Sequence, residues 1–219
     1  MNPDMLALLN KSFWETCYMV FASTALSTLI GIPLGVILTV TRKEHILPNQ
    51  PVNSILGAIV NATRSTPFII LMVAIIPLTR MIVGSSIGTT AAIVPLTISA
   101  APFIARIIES SLLEINPGII EAAQAMGASP MQIITKVLLP EAKPALINGA
   151  VISMVTILGY SAMAATIGGT GLGQVAIIYG HQRNNADITW ICVLLTVAIV
   201  QIIQIVGTTI ERKTDKRIK

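Results

Sequence analysis

Few residues in this 219-residue chain combine in ways that could do chemistry. The run Gly168 to Gly173, GGTGLG, has enough glycine to wrap a phosphate, but it misses the G-x-G-x-x-G spacing, and no G-x-x-x-x-G-K-[ST] occurs anywhere. The run is either a flexible turn or an outer loop whose backbone packs closely against a docked protein or a pathway mouth. Cys17 and Cys192 lack the short spacing to another Cys or His that a zinc or redox site needs, and they read as small packing residues. Serines are many, but no apolar stretch carries a His to act as their base, which excludes an intramembrane serine protease. His45 and His181 fall between the apolar stretches, on opposite sides. No stretch offers the carboxylates, broken-helix repeats or charged filter of a secondary transporter or channel. One charge, Arg64, interrupts an apolar stretch; in order of preference it snorkels to the interface, bonds loop carbonyls, or faces a pathway. No catalytic, cofactor-binding or metal site is expected.

The remaining candidate chemistry is docking, and it lies between 109 and 145. Residues 118 to 126 are strong helix formers after Pro117, and Gly127 is placed to end that helix in a left-handed conformation. Ser129 followed by Pro130 is a helix restart, with the serine as N-cap. Met131, Ile134, Val137 and Leu138 recur at helical spacing, and Pro140 is expected to stop the run. The segment reads as a helical elbow with an apolar stripe.

The elements that must hold this elbow follow from composition. The chain is 53% hydrophobic and 11% charged, with a mean hydropathy of +0.79. A soluble fold has about a quarter of its residues charged, so an all-α integral membrane protein is expected, with no free-standing nucleic-acid role. A helix needs about 20 apolar residues to cross the hydrocarbon core. Five spans qualify, near 17–41, 55–79, 86–108, 146–167 and 187–208, and the second is the weakest because Arg64, Pro67 and Pro77 interrupt it. Residues 51–63 are open to lying along the interface instead. No cleavable signal peptide is expected, since Asp4, Lys11 and Glu15 precede the first long apolar run.

Basic residues orient these spans. With the C-terminus cytoplasmic, Arg42, Lys43, Arg106, Lys136, Lys143, Arg212, Lys213, Lys216, Arg217 and Lys219 lie inside; only Lys11, Arg80 and Arg183 lie outside. The N-terminus is therefore expected outside, the elbow inside, and 209–219 as a basic tail that anchors topology at anionic lipid.

Within the spans, Ser23, Ser27, Gly31 and Gly35 form a ladder of small residues, and Gly149 with Ser153 and Ser161 with Ala165 repeat the device; all read as sites of close helix packing. Gln201 and Gln204 are expected to bridge helices. Tyr160, Ser161 and Met163 follow the elbow along span four among small residues, and Met163 is a candidate plug of a pathway.

The elbow sequence EAAQAMGASPMQIITKVLLP resembles the EAA loop of ABC importer permeases. It matches at Glu121, Ala122, Ala123, Gly127, Leu139 and Pro140 and departs only by Val137 for Ile. Similarity extends from Trp14 to the last span, and RSTPFIIL at 64–71, AIVPLT at 92–97, AAPFIAR at 100–106 and GYSAM at 159–163 are similar to the methionine-transporting branch. The resemblance implies a type I importer transmembrane domain over 13–208 in a bacterial inner membrane. It also implies a second copy of the chain, two cytoplasmic ATPase subunits that bind ATP and Mg, and an extracytoplasmic substrate-binding lipoprotein. Glu121 would then pair with a basic group on the ATPase, Ala122 and Ala123 would allow close approach, and Gly127 would form the bend. The substrate would be an amino acid, methionine first and another amino acid as the alternative.

Overall fold

The computed structural model describes residues 3–214, and the end of the basic tail, 215–219, lies outside the described residues. In chain order the helices are α1 (Pro3–Val40), α2 (Gln50–Ser65), α3 (Phe68–Ala74), α4 (Ile76–Val83), α5 (Thr89–Leu113) and α6 (Pro117–Ala125). They continue with α7 (Pro130–Ile133), a π turn (Ile134–Leu138), α8 (Leu139–Glu141), α9 (Lys143–Ala164) with a 3₁₀ extension (Ala165–Ile167), α10 (Leu172–Val175), a second π turn (Ala176–Gln182) and α11 (Ala186–Thr214). Among the described residues, α1, α5, extended α9 and α11 are long and apolar enough to cross a membrane, and α2 with α3 makes a fifth, bent candidate.

The seam between α1 and α5 is the most extensive helix contact, and small residues create it. Ser23, Ser27, Gly31 and Gly35 are all buried, and Gly31 and Gly35 face α5. A Cβ on Gly31 would sit 2.6 Å from Ile104 Cγ2, and one on Gly35 would sit 2.6 Å from the Ala105 carbonyl oxygen. Only hydrogen atoms fit there, so the backbones approach as closely as helices can. Several hydroxyls on α1 bond their own helix, buried Ser23 Oγ being an exception: Thr24 Oγ1 donates to the Val20 carbonyl at 2.7 Å and Thr39 Oγ1 to that of Gly35 at 2.9 Å. That satisfies them where lipid and apolar side chains offer no partner. α9 also packs on α5, where Gly149 meets Ile107 and fully buried Ser153 donates to the Gly149 carbonyl. α5 is thus the central post: 67% of its apolar window is buried, against 22% for α11 at the periphery.

The second expected span is bent where Pro67 interrupts it: α2 stops at Ser65, Thr66 is extended (ψ 125°), and α3 leaves at 106°. Pro67 forces this, because its ring disfavours helical geometry at the residue before it. A second break at Ile75 precedes Pro77 in the first turn of α4, and Gly84 (φ 81°) ends that helix. Arg64 lies in the last turn of α2 with its side chain exposed. The first helix begins at Pro3, well before the expected 17, and α11 absorbs 209–214.

Pro140 is also corrected: the elbow does not stop there. The helix carries on through α8, and after one irregular residue, Ala142, α9 begins. A proline ring ordinarily meets the carbonyl four residues back. The wider π turn just ahead, Ile134–Leu138, makes room for it.

Candidate coupling site and pathway surface

The elbow is built by local signals. Asn116 caps α6 by accepting from Gly118 N at 2.9 Å. At the other end Ala128 N donates to the Ala123 carbonyl (3.1 Å) and Gly127 N to that of Gln124 (2.9 Å), a Schellman closure that holds Gly127 at φ 76°. Ser129 then opens α7 with a reciprocal capping box: its N–H donates to Gln132 Oε1 at 2.8 Å, while Gln132 N donates to Ser129 Oγ at 3.4 Å. Gln132 was not singled out by sequence, although Ser-x-x-Gln before an apolar run carries that signature.

The elbow seats on the end of α5 through an apolar cluster of Ile108, Leu112, Ile115, Ala123, Ile133 and Leu138. Ala123 is therefore inward, while Glu121, Ala122, Gly127 and Pro140 are exposed and Val137 and Leu139 are half-buried. Of the expected apolar stripe, Leu138 is fully buried, Ile134 is half-buried, and Met131 points outward at 66% exposure; Ile133 takes the inward place instead. Met126 is 81% exposed as well. The same elbow exposes the carboxylate of Glu121, which has no hydrogen bond or ion pair among the described residues.

Beside Glu121 is an open cavity of about 360 Å³, lined on one side by Pro117, Ile120, Glu121 and Gln124 and on the other by Glu44, His45 and Ile46. The α1–α2 connection therefore abuts the elbow. His45 is half-buried with its Nδ1 lacking a partner. Burial, and secondarily the charge of Arg42, push its pKa below the ordinary imidazole value. Because the folded value is the lower one, the unfolded loop takes up a proton first as pH falls. Packing of this loop is then at full strength above about pH 6.5 and weakens as pH drops through the folded value. Hydrogen exchange at 41–49, corrected for intrinsic rates, should accelerate as pH falls below about 6.5 in the wild type but not in His45→Gln. Identical pH dependence in both would reject this.

The candidate gate residues do not share one face. Tyr160 stacks flat on Phe68 of α3 (centroids 4.6 Å apart, 4° between planes). Met163, one turn on, is 49% exposed, whereas Ser161 is buried and donates to the Leu158 carbonyl at 2.7 Å. Tyr160 and Met163 thus share a surface from which Ser161 is turned away. Ala165, its ladder partner, is half-buried in the 3₁₀ extension.

The glycine run is neither a free turn nor an open docking loop. Gly88 N donates to the Gly168 carbonyl at 2.9 Å, Leu172 N to Thr16 Oγ1 at 2.9 Å, and the Thr89 and Thr170 hydroxyls are 2.7 Å apart. A Cβ on Gly171 would lie 2.5 Å from Thr16 Oγ1, and one on Gly173 2.6 Å from Ala162 Cα. The glycines let this segment tie α1, α5 and α9 together. Gln201 and Gln204 are exposed and bridge no helices among the described residues. The sequence shows Arg106 only as a topology charge, while the structure pairs it with the buried carboxylate of Glu109.

A family model described as "Binding-protein-dependent transport system inner membrane component" matches residues 31–218. The chain belongs to this family. Among binding-protein-dependent permeases it is 56% identical over 217 residues to the probable D-methionine transport system permease protein MetI of Vibrio cholerae, covering 99% of this chain and 95% of that one. It is 56% identical over 163 residues to the D-methionine transport system permease protein MetI of Escherichia coli, covering 74% and 75%. A solved structure of the MetNI methionine ABC transporter in inward-facing conformations superposes with a TM-score of 0.97 at 50% identity, covering 99% of this chain and 100% of that one. An amino acid ABC transporter at 21% identity and a TM-score of 0.72 shares the fold. The fold is that of a type I ABC importer permease, and the elbow of this permease is the segment that carries the EAA sequence.

Proposed function

We propose that this chain is the permease subunit of an ATP-driven methionine importer, with two copies forming the translocation pathway in a bacterial inner membrane. The observation that carries this is the elbow: an exposed Glu121, unpaired among the described residues, in a capped helix that ends at the Gly127 bend and seats on the post α5, in a chain so similar to methionine permeases. The N-terminus lies outside and the C-terminus inside, as the basic residues require. The chain itself binds no nucleotide; ATP and Mg belong to two cytoplasmic ATPase subunits, and an extracytoplasmic lipoprotein delivers the substrate.

The mechanism is a population shift. ATP closes the ATPase pair, and the grooves that hold Glu121 to Pro140 of each copy move inward. Differential contacts at the elbow then favour the outward-open arrangement of the bundles. Along α9, Ile152, Met163 and Thr166 are exposed on one helical stripe, with Gly159 open between them. Such a surface of apolar and small groups suits a weakly hydrated amino acid, with selectivity resting mainly in the binding protein.

Reconstitution in liposomes with the ATPase and binding protein tests the reading. Methionine should enter with ATP and in preference to other amino acids; entry of another amino acid but not methionine refutes the substrate, and entry without ATP refutes the class. Met163→Ala should raise basal ATP hydrolysis severalfold and lower uptake per ATP. If both stay at wild-type values, Met163 is ordinary packing and gates nothing.

A further inference from the structure

α5 carries a charged pair inside the bundle. Arg106 Nη1 donates to Glu109 Oε2 one turn on, and Nη2 reaches across to α2, donating to the Gly57 carbonyl at 3.1 Å and to Asn61 Oδ1 at 2.9 Å. The Glu109 side chain is 8% exposed and that of Arg106 24%, while Arg106 Nε is buried without a partner. A Cβ on Gly57 would stand 3.5 Å from Nη2, an ordinary contact, so the cation lies directly against the α2 backbone at this residue. Leu38, Val60 and Ala105 close a small apolar cluster beside the network.

α2 has few other attachments. Asn53 Nδ2 donates to the Leu38 carbonyl at 2.6 Å and to Thr41 Oγ1 at 3.0 Å, both neutral bonds to the end of α1. Most of its remaining surface is exposed, including Val52, Ile55 and Ile59. Charge-assisted bonds from Arg106 are stronger than neutral bonds, and removing either member of its pair with the buried Glu109 strands the opposite charge. α2 should therefore follow α5 more closely than α1.

The placement of the network gives this a consequence. Glu109 lies one turn before the end of α5, whose next element is the coupling elbow. α2 leads through the Pro67 bend to α3, whose Phe68 stacks on Tyr160. We propose that Arg106, with Glu109 and Asn61, is the positioning device that transmits elbow movement to the α2–α3 bend, so that Phe68 moves against Tyr160 as the pathway switches. This rests on the importer reading above.

The test uses the reconstituted transporter with its ATPase and binding protein. Asn61 is exposed and its replacement leaves the buried pair intact, so Asn61→Leu should retain wild-type thermal unfolding and ATP hydrolysis while uptake per ATP falls severalfold; Asn61→Asp, which keeps an acceptor, should restore it. The paired change Arg106→Met with Glu109→Leu removes both charges together; uptake per ATP should fall roughly tenfold, within the range of ordinary coupling free energies. ATP-dependent changes in hydrogen exchange at 58–74 should vanish in the same variants while those in the elbow remain. Wild-type uptake per ATP in Asn61→Leu overturns the proposal, even if the double variant fails to assemble. So does a loss confined to thermal stability or yield, which marks a merely structural network. Wild-type protein run in parallel separates the two readings: if it imports another amino acid instead of methionine, the ratio is measured with that substrate, and if it imports none with ATP, the importer reading itself has failed.

Discussion

Glu121→Lys should abolish ATP-driven uptake while the chain still inserts and folds. Glu121 is exposed and has no partner among the described residues, so its loss removes nothing from the fold. In a docked complex the reversed charge would face the basic group that a carboxylate there is suited to meet. Truncating one member of a desolvated interfacial ion pair typically costs about 2–5 kcal/mol, and reversal turns attraction into repulsion as well. Co-purification with the ATPase and substrate-stimulated ATP hydrolysis should both fall with uptake. Gly127 supplies a matched pair. Gly127→Pro cannot reach φ 76° with a ring fixed near −65°, and it deletes the N–H that donates to the Gln124 carbonyl. Gly127→Asn keeps that N–H and tolerates the left-handed region, and nothing stands within 4 Å of its Cβ. The proline variant should be inactive and the asparagine variant close to wild type. Wild-type uptake by Glu121→Lys and Gly127→Pro would remove the elbow from the coupling mechanism.

Gly35→Ala should lower the thermal unfolding temperature in detergent, and Gly159→Ala should not. On Gly35 the new methyl group would stand 2.6 Å from a backbone oxygen and 2.7 Å from Ile108 Cβ. Neither is the free end of a flexible side chain, so α1 and α5 must separate. Overpacking of this kind typically costs about 1–3 kcal/mol. Gly159 lies within α9 with nothing inside 4 Å, so its methyl group meets open space and alanine's helix propensity works in its favour. Equal unfolding temperatures for the two variants would show that the α1–α5 seam yields easily. Ile108 also belongs to the cluster under the elbow, so widening the seam should loosen the coupling site too.

What sequence revealed and what it hid divide by distance along the chain. The bend at Gly127, the cap at Ser129 and the break at Pro67 are decided by a few adjacent residues, and each was legible. The ladder of Ser23, Ser27, Gly31 and Gly35 was legible as a packing stripe, although nothing in its spacing said that Ile104 and Ile108 of α5 would fill it. Pro140 misled because a proline stops a helix only where the preceding turn is α, and the π turn that receives it leaves no plain mark in composition. The glycine run misled for a related reason. Flexibility and close approach use the same residue, and only the positions of Thr16 and Ala162 distinguish them. Arg106 and Glu109 were visible as charges, but their meaning depends on Gly57 and Asn61, far away in sequence and on another helix.

The length of α1 has a consequence for the bilayer. Thirty-eight helical residues extend about 57 Å, almost twice the roughly 30 Å hydrocarbon thickness. Even at about 40°, the steep end of observed helix tilts, more than 10 Å must stand outside the hydrocarbon. The charged residues assign that excess to the N-terminal third, which holds Asp4 and the 3.9 Å pair of Lys11 with Glu15. Trp14 and Tyr18, both more than half exposed, flank Glu15 and have the amphipathic rings that settle at headgroup depth. The water boundary should therefore cross α1 near these two aromatics, making the first helix a gauge of where the membrane begins.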